Sequence, residues 1–183
     1  MTDPNSAPIE VAIAIITQGD RFLLQLRDDI PGILYPGQWG FFGGHLDPGE
    51  TPNAALIREL QEEIGYGPPY AIPFLCQRSD GPLGDSNHRC VIRHVFVAPL
   101  TVETEELTLS EGWDFGLVSA DEVRAGQRYS ATAQRVCPIG KPHQRILLDF
   151  IQAVSAGYVM EDNMATAELA KPSQNQYNSS SHS

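Results

Sequence analysis

Runs of apolar residues separated by turn-forming residues divide the chain into a series of predicted strands. The first run is rich in β-branched residues, and a Gln-Gly-Asp turn leads from it into a second, which predicts a β-hairpin. A loop rich in proline and glycine comes before the third run. The fourth and fifth flank a turn-rich stretch and predict another hairpin. The predicted strand segments are 9–17, 21–27, 39–44, 70–78, 88–98 and 112–118.

Two longer segments have the apolar spacing of amphipathic helices. In residues 51–65, Thr51 is suited to the N-cap and Pro52 to the first helical position. A short helix is expected to open at Ser119, and a C-terminal helix is expected over 143–157. The apolar positions expected to face the core are Ile57, Leu60 and Ile64 in the first helix and Ile146, Phe150, Ile151 and Val154 in the last. Helices separated by several strands, without regular alternation, predict an α/β fold in which helices cover both faces of a mixed sheet.

The length of 183 residues suits one domain with short extensions. Residues 1–8 are expected to form a disordered leader, and residues 9–160 the folded domain. Residues 161–183 are rich in Ser, Asn and Gln and have too few apolar side chains to offset the entropy of ordering them. They are therefore predicted to be a disordered polar tail.

The charge balance restricts the classes of partner. Acidic residues outnumber basic ones by 23 to 12, which gives a net charge of −11 and disfavours binding to a DNA or RNA duplex. A phosphate-bearing substrate would need a divalent cation to offset this charge. No apolar run has the length of a membrane span, and the start lacks the pattern of a signal peptide. With three widely spaced cysteines, these features predict a cytoplasmic protein with reduced thiols.

Three carboxylates fall on one face of the predicted helix 51–65. Glu59, Glu62 and Glu63 lie within an arc of about 100° on a helical wheel. The three negative charges repel one another, and a cation bound between them turns this repulsion into a net attraction. Carboxylate oxygens are ligands that suit Mg²⁺ or Mn²⁺. Gly43 and Gly44 allow close approach of the backbone, so the Gly44 carbonyl is a candidate uncharged ligand. The alternative is an ordinary solvated acidic helix face.

The spacing of the whole segment separates these alternatives. It resembles the Nudix box, G-x5-E-x7-R-E-U-x-E-E-x-G-U, in which U is a bulky apolar residue. Tyr66 stands where an aliphatic residue is commoner, and Phe42 stands where many members have proline, but neither difference affects a charged position. The seven fixed letters are all matched, by Gly44, Glu50, Arg58, Glu59, Glu62, Glu63 and Gly65.

This resemblance implies a fold, an activity and a role for each residue of the box. The fold implied is an α/β/α sandwich, and the activity is hydrolysis of a phosphoanhydride in a nucleoside diphosphate derivative with a divalent metal. Glu62 and Glu63 would ligate the metal, and Glu59 would be a further ligand or the general base. Glu50 and Arg58 would orient the helix by pairing, and Gly44 would offer its carbonyl.

Candidate site residues outside the box rest on weaker sequence signals. Glu111 precedes a predicted strand, where many relatives carry a Glu that completes the metal site or acts as base; otherwise it belongs to an acidic stretch, residues 101–122, with seven acids and no base. Arg27, with the Pro-rich loop after it, and Trp39 resemble substrate-side features of some members. A tryptophan entering a strand is more often part of the core.

The sequence therefore predicts a metal-dependent hydrolase of a small nucleotide substrate, with Mg²⁺ or Mn²⁺ as cofactor. Water would attack phosphorus, with Glu59 or Glu111 as general base. The alternatives are a non-catalytic Nudix-like nucleotide sensor and a protein-interaction module that works through residues 101–122. The particular substrate, the number of metals and the choice between monomer and homodimer stay open.

Overall fold

The computed structural model describes residues 8–79 and 90–157. The predicted tail and nearly all of the predicted leader lie outside these ranges, as does the turn of the second hairpin. The strands are β1 (Ile9–Gln18), β2 (Arg21–Leu26), β3 (Trp39–Gly40), β4 (Phe42–His45), β5 (Ile72–Ser79), β6 (Val91–Pro99), β7 (Asp114–Ser119), β8 (Gln127–Ser130) and β9 (Arg135–Pro138). The helices are α1 (Pro52–Ile64), α2 (Ala120–Ala125) and α3 (Lys141–Ser155), and a 3-10 turn spans Thr104–Glu106.

The predicted mixed sheet is present, and it contains seven strands because the predicted segment 39–44 forms two, β3 and β4. The order along the sheet is β3-β2-β1-β6-β5, while β4 also pairs with β1 and β7 with β2. Strands β1 and β6 run parallel, and the other pairs are antiparallel. The two predicted hairpins, β1–β2 and β5–β6, are both present. Strand β1 is therefore the centre of the sheet, with three strands paired to it.

Strand β1 is buried on both faces, which explains its continuous apolar sequence. Ala12 and Ala14 pack into the layer under α1, and Ile13 and Ile15 pack into the layer under α3. Because neither face of such a strand meets water, apolar side chains are favoured at every position and do not alternate with polar ones. Because α1 and α3 lie on opposite sides, the fold is an α/β/α sandwich with two separate apolar layers.

Helix α1 begins where the sequence predicted, but it packs through a slightly different face. The Thr51 hydroxyl oxygen accepts a hydrogen bond from the Ala54 N–H at 3.3 Å, which caps the helix. Leu56, Leu60 and Ile64 are buried, whereas the predicted Ile57 is only half-buried. The core-facing stripe is therefore centred one residue earlier than the spacing of Ile57 suggested.

Helix α3 differs more from its prediction. It begins at Lys141, two residues before the predicted start, and its buried residues are Ile146, Leu147 and Phe150. Val154, predicted to face the core, is 38% exposed. Ile151 is partly buried against the core, so the core-facing stripe of α3 ends before Val154. Within the described residues no helix is long and apolar enough to cross a membrane.

The hairpin β8–β9 was not predicted. Tyr129 and Val136 are cross-strand neighbours and both are exposed, while the buried positions of the pair are Ser130 and Cys137. A hairpin that buries a serine and exposes a tyrosine and a valine inverts the usual pattern of alternation. Its connecting residues also lack the Asn-Gly or Asp-Gly signature of a tight turn.

Gly43 provides a test of how closely the backbone of β4 packs against that of β1. It has a positive φ of +119°, and a Cβ there would lie 2.1 Å from the Ala12 carbonyl oxygen. We expect Gly43→Ala to lower the free energy of unfolding by about 3 kcal/mol or more, because it combines backbone strain with a clash against a central strand. Chemical denaturation of the purified chain measures this loss.

Gly49→Ala is the matched control. Gly49 also has a positive φ, +82°, but a Cβ there meets nothing within 4 Å. Its cost should be limited to the backbone conformation, about 1 kcal/mol. Equal losses for the two variants would contradict a role for close packing at Gly43.

Candidate active site

The segment matching the box forms a loop, a helix and a loop between β4 and β5. The chain leaves β4 at His45, turns through Asp47 and Gly49, and enters α1 at Pro52. Gly65 ends the helix in a left-handed conformation; its N–H donates to the Gln61 carbonyl, and the Tyr66 N–H donates to the Leu60 carbonyl. The charged side chains of the box are therefore mounted on one rigid helix and on the loop before it.

Arg58 is the centre of an ion-pair network on the outer side of this helix. Its Nε and Nη2 atoms donate to the two oxygens of Glu50, at 3.1 and 2.9 Å. Nη1 donates to Glu59 at 2.9 Å and to Glu62 at 3.3 Å. Nη2 also donates to the His45 carbonyl at 3.0 Å. One guanidinium thus joins the end of β4, the loop and α1, and the predicted pairing of Arg58 with Glu50 is present.

The network shifts the pKa values of Glu50 and Arg58 in the directions that favour their charged forms. The hydrogen bond from Arg58 lowers the pKa of Glu50, and the Asp47 N–H adds to this effect. The hydrogen bonds to Glu50 and Glu59 raise the pKa of Arg58 further above its usual range. The Glu50 carboxylate and the Arg58 guanidinium therefore both stay charged at neutral pH.

Glu63 lies on the other side of α1, pressed against the sheet. It is 5% exposed, and it accepts hydrogen bonds from the Gly43 N–H at 2.8 Å and from Gln25 Nε2 at 3.2 Å. Burial raises the pKa of Glu63 to about 7, although both hydrogen bonds act in the opposite direction. The negative charges of Glu59 and Glu111 raise it further. Glu63 is therefore a carboxylate that titrates near neutrality and sits within the electrostatic range of two others.

Glu59 fills the space over Gly44. A Cβ on Gly44 would lie 2.6 Å from the carboxyl carbon of Glu59, so any larger residue would displace that carboxylate. This contact explains the glycine of the box in physical terms. It also sets the Glu59 carboxylate against the backbone of β4, beside the candidate carbonyl ligand.

The loop that carries Glu111 is bound to the end of α1 and to β2. The Ser110 N–H donates to the Glu63 carbonyl at 2.8 Å, and the Trp113 N–H donates to the Leu26 carbonyl at 2.8 Å. Gly112, with a φ of +93°, lies so close that a Cβ would be 3.0 Å from the Leu26 oxygen. Glu111 itself is exposed between these anchors. The structure therefore brings the loop that carries Glu111 to the box, close enough for the charge of Glu111 to raise the pKa of Glu63.

The carboxylates of Glu59, Glu62 and Glu63 are chemically suited to a divalent cation, but in this structure each of them accepts hydrogen bonds from protein groups. Within residues 8–79 and 90–157, no three His, Cys, Asp or Glu side chains converge on a point that could hold a metal ion. Arg58 engages Glu59 and Glu62, and Gln25 and Gly43 engage Glu63. Carboxylate oxygens are nonetheless the hard donors that Mg²⁺ or Mn²⁺ prefers. The charges of Glu59 and Glu111 raise the pKa of Glu63, as expected for acids grouped without a cation.

Trp39 and Arg27, the predicted substrate-side residues, have different environments. Trp39 is 1% exposed; its indole N–H donates to the Arg128 carbonyl at 3.2 Å, and the Arg128 guanidinium lies 5.4 Å from its ring centroid. This favours the core interpretation of Trp39. Arg27 follows β2 and is half-buried, and its backbone N–H donates to the Gln38 carbonyl at 3.1 Å.

Gln25 is a site residue that the sequence analysis missed. It is 2% exposed in β2, and its Nε2 atom donates both to Glu63 and to the Phe41 carbonyl. A polar residue inside an otherwise apolar strand was the signal available. Because a buried amide needs partners, its presence there indicated a second buried polar group nearby.

Comparison with known proteins agrees with the geometry. The family model described as the NUDIX domain matches residues 7–136. An RNA pyrophosphohydrolase of Gluconobacter oxydans is 39% identical over 67 residues, 36% of this chain and 37% of the relative. A CTP pyrophosphohydrolase of Escherichia coli is 42% identical over 57 residues, 31% of this chain and 41% of the relative. The matches thus span well under half of these curated relatives.

The same fold occurs in solved structures. A MutT NUDIX hydrolase from Burkholderia pseudomallei superposes with a TM-score of 0.59 at 22% identity, covering 79% of this chain and 98% of that one. The sandwich, the box and its ion-pair network define a Nudix domain. The chain belongs to the NUDIX family.

The buried carboxylate of Glu63 makes the stability of the metal-free protein depend on pH. The unfolded chain ionises this group near its ordinary pKa of 4.5, and the folded chain ionises it near 7. The folded state therefore carries a penalty that grows as pH rises from 4.5 to 7 and is then constant. We expect Glu63→Gln to stabilise the protein by about 1 to 3 kcal/mol at pH 8 and to have little effect at pH 4. Thermal unfolding in EDTA measures the difference.

Glu62→Gln is the control for this prediction, since the Glu62 side chain is 61% exposed. Its difference from the parent should not follow the same pH curve. A Glu63→Gln variant that is equally stabilised at pH 4 and pH 8 would show that the buried charge is not the cause.

Proposed function

We propose that this protein hydrolyses a phosphoanhydride bond in a nucleoside diphosphate derivative, with Mg²⁺ or Mn²⁺ as cofactor. The observation that carries the proposal is the position of two carboxylates of one rigid helix against the glycines of β4, Glu59 at Gly44 and Glu63 at Gly43, with the loop that carries Glu111 bonded to the Glu63 carbonyl. The negative charges of Glu59 and Glu111 act on the buried Glu63 without a counter-charge, and a divalent cation would supply one and would also offset the charge of a phosphate-bearing substrate.

The metal ligands proposed are the carboxylates of Glu59, Glu62 and Glu63 and the carbonyl of Gly44. A cation bound there polarises the phosphoryl oxygens and increases the acidity of the attacking water. Glu63 is already held by Gly43 and Gln25, so one ligand is fixed in place before the cation binds. Glu59 and Glu62 are held by Arg58 through single hydrogen bonds from one nitrogen, which a stronger cation can replace.

Glu50 and Arg58 are proposed to orient the ligands. The two-point contact between them keeps the guanidinium in place while its third nitrogen, Nη1, faces Glu59 and Glu62. The bond from Arg58 to the His45 carbonyl also fixes the loop against the end of β4. This arrangement keeps α1 at a constant distance from Gly44.

Glu111 is proposed as the general base and Glu59 as a ligand. Glu59 is held between Arg58 and Gly44, a fixed position beside the candidate carbonyl ligand that suits a metal ligand. Glu111 is exposed on a loop whose two ends are anchored, so it can reach a bound substrate without loss of position. The alternative, Glu59 as base, predicts different results for the variants below.

Substrate contacts are proposed for Arg27 beside the end of β2. Its guanidinium is suited to phosphate oxygens, whereas Trp39 supports this wall of the site from within the core. The names of the relatives, an RNA and a CTP pyrophosphohydrolase, support cleavage of a pyrophosphate bond and differ in the group attached to it. A phosphate-release screen with Mg²⁺ over nucleoside triphosphates, nucleotide sugars, ADP-ribose and dinucleoside polyphosphates identifies the substrate.

The first test removes ligands without changing their size. Glu62→Gln and Glu63→Gln should each lower metal-dependent turnover by about 10²-fold or more, because each removes a charge that holds the cation. Glu105→Gln, an exposed acid outside the box, is the control and should remain fully active. Near-parental rates in both box variants at saturating Mg²⁺ would contradict the site. A parent that binds nucleotides but releases no phosphate would favour the sensor alternative.

A second test separates the two candidate bases. Glu111→Gln should lower kcat by about 10²- to 10⁴-fold and leave Mg²⁺ affinity nearly unchanged. Glu59→Gln should instead weaken Mg²⁺ binding, measured by titration calorimetry of the same preparations. An active Glu111→Gln enzyme, together with a slow Glu59→Gln enzyme that binds metal normally, would reverse the assignment.

A further inference from the structure

Arg135 connects two loops that border the candidate active site. It lies at the start of β9, and its Nη2 atom donates to the Asp29 carboxylate at 2.6 Å. Its guanidinium carbon also lies 5.2 Å from the centroid of the Trp113 ring. Asp29 belongs to the loop between β2 and β3, and Trp113 follows Glu111 and Gly112 in the loop before β7. One cation therefore joins segments that are far apart in the sequence.

The sheet places these two loops side by side at the end of β2. Leu26 is the cross-strand neighbour of Trp39 in β3 and of Asp114 in β7. Because β3 and β7 both begin beside the last residue of β2, the loops that lead into them lie on its two sides. The Leu26 carbonyl accepts a hydrogen bond from the Trp113 N–H at 2.8 Å, which fixes the backbone of the second loop but not the Trp113 side chain.

The β8–β9 hairpin that carries Arg135 is attached to both of these strands. The Ser130 hydroxyl donates to Asp114 Oδ2 at 2.5 Å, and the Arg128 carbonyl accepts the indole N–H of Trp39 at 3.2 Å. These bonds join β8 to the first residue of β7 and to the first residue of β3, and they give the buried serine of the hairpin a physical role. Arg135 thus projects from a hairpin whose position is fixed relative to both loops.

The ion pair also packs against the backbone of the loop between β2 and β3. A Cβ on Gly37 would lie 3.1 Å from Arg135 Nη2 and 3.2 Å from the carboxyl carbon of Asp29. Gly37 has a positive φ of +63°, and its N–H donates to the Asp28 carbonyl at 3.1 Å, which closes the loop at its base. Contact with Arg135 therefore restrains this loop as a whole.

These contacts are suited to fixing positions rather than to stabilising the fold. The side chains of Arg135 and Asp29 are 47% and 46% exposed, and ion pairs with this exposure contribute little to the free energy of unfolding because water screens them. A guanidinium beside a half-buried indole ring also adds little. The bond to Asp29 does, however, keep the guanidinium over the Trp113 ring, which restrains that side chain.

We propose that Arg135 is a positioning residue that holds the loop of Glu111 for proton transfer. The proposal rests on the proposed function, in which Glu111 is the general base. One end of the loop is bonded to α1, through the Ser110 N–H and the Glu63 carbonyl, and Arg135 holds the other end through the Trp113 ring. A displacement of about 1 Å at a reacting group slows a reaction strongly, so release of Trp113 slows turnover without removing a group that touches substrate.

The kinetic test uses the nucleotide that the phosphate-release screen identifies. Arg135→Gln should lower kcat by about 10-fold and leave KM and Mg²⁺ affinity within about twofold, because the base is displaced while the contacts to substrate and metal remain. Arg135→Lys keeps the charge and can reach the same single oxygen of Asp29, so it should recover kcat to within about threefold of the parent. Arg124→Gln breaks a comparable exposed pair, with Asp121 at 2.7 Å, and should leave kcat unchanged.

A second measurement follows Trp113 without substrate or metal. The chain has two tryptophans and Trp39 is 1% exposed, so acrylamide quenches mainly the fluorescence of Trp113. Trp113→Phe identifies the share of the emission that belongs to this residue. Arg135→Gln and Asp29→Asn should both raise the quenching constant of Trp113, the former by about twofold or more, because the covering guanidinium is lost or released. Arg124→Gln should leave it unchanged.

The dependence on Glu111 separates positioning from a general effect on the fold. In a Glu111→Gln background, Arg135→Gln should cause no further loss of kcat, because the group that it positions is already absent. A further loss of about 10-fold in that background would overturn the proposal. So would an unchanged kcat in Arg135→Gln, or a raised KM at constant kcat. Thermal unfolding of the Arg135 variants verifies that they are folded at the assay temperature.

The results also distinguish this proposal from the proposed hydrolysis. A parent that releases no phosphate would contradict the proposed function, and quenching would then decide alone whether Arg135 restrains Trp113. Unchanged quenching in Arg135→Gln would overturn the restraint even if the box variants abolish hydrolysis. A fully active Glu111→Gln enzyme would refute the positioning role and leave metal-dependent hydrolysis intact.

Discussion

The burial of Glu63 is the constraint on which the rest of the site depends. Its carboxylate accepts hydrogen bonds from the backbone of β4 and from Gln25 of β2, while its own carbonyl accepts one from the loop that carries Glu111. One residue of α1 is thereby joined to two strands and a loop. Helix α1 has no freedom to rotate without breaking all three contacts, so the other carboxylates of the box keep their positions as well.

The free-energy cost of burying the Glu63 carboxylate also suits its proposed role as a metal ligand. A buried carboxylate is costly unless it is paired, and two neutral donors offset that cost only in part, as its raised pKa indicates. A cation would offset the remainder. The apolar layer under α1, built on Ala12, Ala14, Leu60 and Ile64, stabilises the fold enough to tolerate such a residue. The network around Arg58, on the exposed side of the helix, has no comparable cost.

The sequence predicted those parts of the structure that depend on local pattern. Strand β1 and the start of α1 at Thr51 follow from periodicity and capping, and the pairing of Glu50 with Arg58 was implied by the resemblance to the Nudix box. A helical wheel, however, gives angles between residues and not the position of the sheet. It grouped Glu59, Glu62 and Glu63 on one face, whereas the structure buries Glu63 and exposes Glu62. The hairpin β8–β9 was missed because its buried positions are a serine and a cysteine.

The parallel pairing of β1 with β6 has a consequence for how the chain folds. The ladder joins Ile9 to Val91 and Thr17 to Pro99, residues about eighty positions apart. Contacts between distant parts of a chain form slowly, because a long loop must close before any of them is gained. During synthesis, the most apolar strand of the protein must wait for its parallel partner until more than half of the chain has been made. Over that interval β1 can pair only with β2 and β4, and one of its edges stays available to other chains.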